Sequence, residues 1–138
     1  DLARNASGRQ CVGPLTLTHI LLLKKPGPYR NPTTAQQEAS RISREEYARW
    51  YRPVWDDIAG AKKTAVHPAP FPVEIPYRLI RMFSFAGDTV LDPFGGIFNT
   101  SIAAMRAGRN SVCNEIAQTY FEAGLETVRE KAITLALA

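Results

Sequence analysis

The stretch TVLDPFGGIFNTSIAAMRAG, Thr89 to Gly108, places an acid, Asp92, at the end of an apolar run and a glycine pair, Gly95 and Gly96, shortly before a helix start. In open α/β sheets the crevice beyond the carboxyl end of a parallel strand is where ligands bind. Glycines there let a ligand approach the backbone, and the N–H groups of the helix start receive a carboxylate or another anion. Glu115 follows Gly95 by twenty residues, at the end of the next expected strand, from which an acid reaches ribose hydroxyls.

An adenosine-containing ligand satisfies both features. A pyrophosphate cofactor normally wants G-x-G-x-x-G, which GGIFNT does not supply, and Asp92 at the loop mouth repels phosphate. An acid suits a ligand with a cationic amino group and one carboxylate, the methionine end of S-adenosylmethionine. Two alternatives stay open. One is a NAD-linked oxidoreductase without its glycine pattern. In the other there is no site: the glycines allow a tight turn and Glu115 is a solvated strand end.

Positioning these residues takes a strand, a helix, a strand and a helix. TVLD reads as a short strand buried on both faces, Asn99 or Thr100 as the cap of a helix to Ala107, and Gly108 as its left-handed stop. Residues 110–115 read as a second strand, and 117 to about 135 as a final helix. Short connections make this a right-handed parallel crossover, so this half is α/β. Upstream, LTLTHILLLKK (15–25) suits a strand covered on both faces, and PGPYRNP (26–32) a loop. Ser43 with Glu46 can cap a short helix to about Tyr51, ended by Pro53. HPAPFP (67–72) leads into a helix on which Ile75, Leu79, Met82 and Phe83 recur at helical spacing, with Pro76 tolerable only in the first turn. The expected division is 1–26 as the end of a sheet, 27–66 as a basic loop with a short helix, and 67–138 as the ligand-binding β-α-β-α unit.

The 138 residues, 45% apolar and 22% charged, allow one folded unit with a real core. No apolar run is long enough to span a membrane, and DLARNASGRQ at the start lacks the apolar stretch of a signal peptide. A soluble cytoplasmic protein is expected. Cys11 and Cys113 have no metal-ligand spacing, so no metal is expected, and Cys113 reads as a buried thiol in a reducing compartment. The chain begins at Asp1 without a methionine, which suggests a piece of a longer protein.

All of the net charge of +4 lies in one segment. Residues 24–63 hold nine basic groups against five acids, while the rest balances at eight of each. Tyr47, Trp50, Tyr51 and Trp55 lie in the same segment, which thus combines the phosphate-neutralising and stacking groups of nucleic-acid surfaces. Lys24, Lys25, Arg30, Arg44, Arg49, Arg52, Lys62 and Lys63 are the candidate contacts. The alternative is a solvated basic face with its tryptophans packed inward.

HPAPFP, the helix YRLIRMFS, GDTVLDPFGG, and NEI before Tyr120 and Phe121 resemble, in this order and spacing, the carboxyl-terminal half of the permuted β-class DNA amino-methyltransferases. These methylate adenine-N6 or cytosine-N4, often in restriction-modification systems. The resemblance runs from about Thr18 to Glu122. It implies a partial Rossmann-like, S-adenosylmethionine-dependent methyltransferase fold, with parallel strands and flanking helices, acting on double-stranded DNA. It also implies that His67, Pro68, Phe71 and Pro72, with Asp92, Pro93, Phe94 and Gly96, line the methyl-donor pocket, and that Glu115 holds the ribose. Gly95, Asn99, Thr100 and Ile116 complete the expected cofactor-binding set. KKPGPYR and RPVWDDIAG resemble the stretch where the family's target recognition lies.

Two departures bear on function. The family usually continues DPF-x-G-x-G-T-T, whereas DPFGGIFNT puts Phe98 at the last loop glycine and Asn99 at the first threonine, so Phe98 is expected to reshape or partly fill the pocket. The family's catalytic tetrapeptide, Asp, Asn or Ser followed by Pro-Pro and an aromatic, is absent from the chain. That motif accepts hydrogen bonds from the target amino group and stacks on the flipped base. The expectation is a donor-binding portion that is inactive alone, with no catalytic residue of its own. Either an amino-terminal catalytic half or self-association through an exposed sheet edge would complete it. The alternative is a non-catalytic nucleic-acid-binding module on a methyltransferase fold.

Overall fold

The computed structural model describes residues 18–61 and 70–136. It divides into two units, 1–30 and 31–138. In the first, residues 18–25 form no strand, and Leu21, Leu22 and Leu23 are exposed. The strand expected over 15–25 is therefore absent from 18–25, and its first three residues lie outside the described ones. A strand persists only where a neighbour takes its N–H and C=O groups, and the sheet among the described residues holds two strands elsewhere in sequence.

The second unit begins with two short helices, α1 (Thr34–Ala39) and α2 (Arg44–Trp50). Each opens on a capping box, Thr33 with Gln36 and Ser43 with Glu46, which satisfies two otherwise orphaned donors per helix. The α2 box was expected; α1 falls where loop was expected. Next comes α3 (Glu74–Phe83), with Pro76 at its third residue, where the missing N–H costs nothing. The site-bearing part follows as β1 (Thr89–Asp92), α4 (Asn99–Arg106), β2 (Asn110–Cys113) and α5 (Gln118–Ala136). The two strands pair in parallel, Thr89 opposite Asn110 and Asp92 opposite Cys113. Gly108, at φ 70°, ends α4 in the left-handed region as expected. This β-α-β-α order is part of a Rossmann-like α/β fold.

The core lies between α3 and α4, where Ala103 and Ala104 are fully buried against Ile80, Tyr77 and Val90. Small side chains on α4 let α3 approach closely. The strands bury one face only, which corrects the expectation of two. Val90 is packed against the core, but Leu91 and Val112, on the opposite face, are 64% and 51% exposed.

α3 also anchors the basic segment. The Arg78 guanidinium, fully buried, donates to both Asp57 carboxylate oxygens at 2.9 and 3.0 Å and through Nε to Glu74 at 2.9 Å. The Trp55 ring covers it, 5.2 Å away. A buried charge survives only when paired and hydrogen-bonded in this way. Arg81 adds a 2.6 Å bond to the Arg41 carbonyl and an ion pair to Glu46 at 3.6 Å, beside the buried Trp50.

Hydrogen bonds from Arg78 and Arg49 hold the Asp57 carboxyl well below its ordinary value of 3.8. A depressed folded pKa contributes stability that is complete above the ordinary carboxylate range and lost as the pH falls below it. Asp57→Asn is therefore expected to lower the melting temperature at pH 7, with the gap to the parent narrowing below about pH 4. Thermal melts from pH 7 to pH 3 check this; a gap independent of pH would contradict it.

Candidate functional site

The parallel register brings the carboxyl ends of β1 and β2 together, and hydrogen bonds continue past the strands. Asn114 N–H donates to the Asp92 carbonyl at 3.0 Å, and Gly95 N–H to the Asn114 carbonyl at 2.7 Å. Asp92 turns its side chain back on the loop, Oδ1 accepting from Phe94 N–H at 3.0 Å, an Asx turn that sets the chain's exit from the strand. The Glu115 carboxylate then ties three segments together. Oε2 accepts from Gly96 N–H at 2.7 Å, and Oε1 from Ala117 N–H at 2.8 Å, just before α5. Hydrogen bonds to a carboxylate are about twice as strong as neutral ones.

Beside this carboxylate an open cavity of about 470 Å³ is lined by Pro93, Phe94, Cys113, Asn114, Glu115, Ile116 and Phe121. A recess of about 50 Å³ on the other side of Phe94 is lined by Pro70, Phe71, Phe94, Gly95, Gly96, Ile97 and Asn99. Of the residues expected to bind a cofactor, Pro93, Phe94, Glu115 and Ile116 thus line the cavity, and Phe71, Gly95, Gly96 and Asn99 the recess. Asp92 acts on the loop between them, and Thr100 is buried inside α4. His67 and Pro68 lie outside the described residues. Cys113, Asn114 and Phe121 were not foreseen as lining the cavity, nor Pro70 and Ile97 the recess. For Cys113 a signal existed, because residues two apart in an extended chain share a side and Glu115 follows it by two. Its thiol sits 2.8 Å from Ser101 Oγ, and burial pushes its pKa up.

Neither Asn99 nor Thr100 caps α4. The cap position is Phe98, with no side-chain cap bond, and the Asn99 amide donates instead to the Phe71 carbonyl at 2.7 Å. That bond joins the recess's two walls. Phe98 itself has φ 63°, the one described non-glycine residue in the left-handed region, and its ring is buried. Such a conformation costs about 1–3 kcal/mol, comparable to what burying the ring returns. The ring lines neither cavity, contrary to the expectation that it partly fills the pocket. It lies beneath the loop, in an edge-to-face contact with Phe121 at 5.5 Å.

The basic candidates are not equivalent. Arg49 and Arg52 both pair with Asp57, and Arg52 also with Asp56 at 3.1 Å. Arg44 is exposed and has no ion pair among the described residues. In the first unit, Lys24 places its ammonium 3.6 Å above the Tyr29 ring and donates to the Gly27 carbonyl. Lys25 and Arg30 are exposed there. Lys62 and Lys63 lie outside the described residues. Tyr47 and Tyr51 stack on the outside of α2, whereas Trp50 is buried against Tyr77.

A family model of DNA methylases matches residues 16–126. The chain belongs to the DNA methylase family. Among its relatives, the type II methyltransferase M.MjaI of Methanocaldococcus jannaschii is 45% identical over 109 residues, 74% of this chain and 35% of that protein. M.MthZI of Methanothermobacter thermautotrophicus is 39% identical over 111 residues, 74% of this chain and 31% of that protein. The chain thus spans about a third of the length of these relatives. A crystal structure of a putative DNA modification methylase from Thermus thermophilus, complexed with S-adenosyl-L-methionine, superposes with a TM-score of 0.71. It is 40% identical, over 86% of this chain and 49% of that one.

The loop's tolerance is unequal along the chain. A Cβ on Gly95 would meet the Phe98 ring at 2.9 Å and the Asn114 carbonyl at 3.2 Å, whereas one on Gly60 would meet nothing within 4 Å. Gly95→Ala is expected to destabilise the chain by about 1–3 kcal/mol through overpacking, and Gly60→Ala to leave stability within about 0.5 kcal/mol. Denaturant unfolding of the two variants checks the contrast.

Proposed function

We propose that this chain is the S-adenosylmethionine-binding and partial DNA-recognition portion of a methyltransferase acting on an exocyclic amino group of adenine or cytosine. Residues 1–138 alone transfer no methyl group. The observation that carries the reading is the Glu115 carboxylate, fixed by Gly96 and Ala117 at the wall of the 470 Å³ cavity. Held there, it accepts hydrogen bonds from the ribose hydroxyls of the donor. Phe94, Ile116 and Phe121 offer apolar surface to the adenine, and the loop at Gly95 and Gly96 lets the methionine arm approach the backbone. The S-adenosyl-L-methionine complex of the Thermus thermophilus relative supports this choice of ligand.

The rival, a nucleic-acid-binding module that has lost the donor, draws on Phe98 as a plug in the pocket and on the missing tetrapeptide. The ring's place beneath the loop removes the first of these, while the fixed Glu115 carboxylate favours a donor site. Glu115→Ala is expected to weaken donor binding by about 1–3 kcal/mol through lost hydrogen bonds. Calorimetry with S-adenosylmethionine measures this, and no binding to the parent at millimolar donor would sink the reading.

DNA is the proposed partner, and within the second unit Arg44 is better placed to meet it than Arg49 and Arg52, whose charges Asp57 and Asp56 already engage. The absent tetrapeptide leaves the target base unheld. Effective molarities of roughly 10⁵ M or more are forfeited when one reactant is not positioned. The exposed sheet face at Leu91 and Val112 is consistent with a further segment, or a second copy, that packs over it. Transfer of labelled methyl from donor to mixed-sequence DNA is expected to be absent with this chain alone. It should be restored when a separate chain carrying the tetrapeptide is added. Turnover by residues 1–138 unaided would mean the chain holds a catalytic group of its own.

A further inference from the structure

Phe98, Gly95 and Gly124 form a matched set. One edge of the Phe98 ring, Cδ1 and Cε1, lies where a Cβ on Gly95 would stand, 2.9 Å away. The other edge, Cγ and Cδ2, lies 2.8 Å from where a Cβ on Gly124 would stand, and that Cβ would also meet the Ile97 carbonyl carbon at 3.0 Å. Real Cβ atoms do not approach so closely, so both neighbours have to be glycine for the ring to fit. The ring's backbone is likewise constrained, at φ 63° with its N–H on the Gly95 carbonyl at 2.8 Å. Gly124 is buried within α5, a position where glycine otherwise weakens a helix, and one turn before it Phe121 lines the cavity and meets the same ring.

We infer that Phe98 is a positioning residue that sets the spacing between the loop at Gly95 and Gly96 and helix α5, and so the width of the donor cavity, with Gly124 as its seat. Neither Phe98 nor Gly124 lines the cavity. They act through Gly96, which donates to Glu115, and through Phe121. The inference rests on the donor-binding reading for its effect on affinity, but not for its effect on the loop.

The test compares the parent with Gly124→Ala, with Gly124→Ala plus Phe98→Leu, and with Ile80→Val as a control in the core between α3 and α4 that lines neither cavity. Calorimetry with S-adenosylhomocysteine reads affinity, and amide hydrogen exchange reads the Gly96 N–H. Gly124→Ala is expected to weaken binding and speed Gly96 exchange, each by about tenfold, and Phe98→Leu to restore most of both, as coupled neighbours do. Ile80→Val should lower the melting temperature without changing either. Equal effects from Gly124→Ala and Ile80→Val, or no restoration by Phe98→Leu, would overturn the inference. If the parent binds no S-adenosylhomocysteine, the donor-binding reading falls. Gly96 exchange still decides this one, and an unchanged rate in Gly124→Ala overturns it. Should Gly124→Ala fail to fold, Phe98→Gly, which suits φ 63°, is expected to give the same two changes.

Discussion

The geometry of the site depends on one carboxylate. Glu115 accepts from the backbone of the loop after β1 and from the backbone that leads into α5, so the ends of three segments are held by one group. Backbone donors at a loop and at a helix entry have no partner within their own element. An anion placed between them satisfies both, and it does so at the point where two parallel strands end. The strand register comes first in this logic. With Asp92 opposite Cys113, Asn114 and Gly95 meet, and only then does Glu115 reach Gly96.

The second constraint is the burial of a charge. Arg78 has no exposed surface, and its guanidinium fixes Asp57, Glu74 and Trp55 around it. This carries the segment from α1 to residue 57 onto α3. It also changes what the local charge excess means, because the acids counted against the basic groups are not spread among them. Asp57 alone engages Arg49, Arg52 and Arg78, so the surface available to an anionic partner is smaller than the composition suggests.

Much of the site half was legible in the sequence. Asp92, the glycine pair, Gly108 and Glu115 mark the ends of elements, and end markers act locally, so β1, α4, β2 and α5 fall where expected. What depended on neighbours was not legible. The apolar run at 18–25 has the composition of a strand, yet pairing is a property of two segments. The Thr33 and Gln36 box was present in the sequence but hidden by the prolines before it. One-sided burial of TVLD could not be read from four residues, and the paired arginines could not be read from a count of signs. Phe98 stood out as a departure from a glycine pattern, but the direction of its ring depended on Gly124, 26 residues further on.

The clasp on α3 bears on how the chain gathers itself. β1, α4 and β2 lie within 25 residues, so their contacts close short loops. The bonds that secure the basic segment join residues 21, 40 and 50 positions apart. Contacts of long sequence separation bring no reward until the intervening chain has been ordered. During synthesis the segment with Glu46 and Asp57 emerges before Arg78 and Arg81, which fasten it to the core. Trp50 and Trp55 therefore spend that interval without the helix that covers them, and the segment made first in this unit waits for one made later.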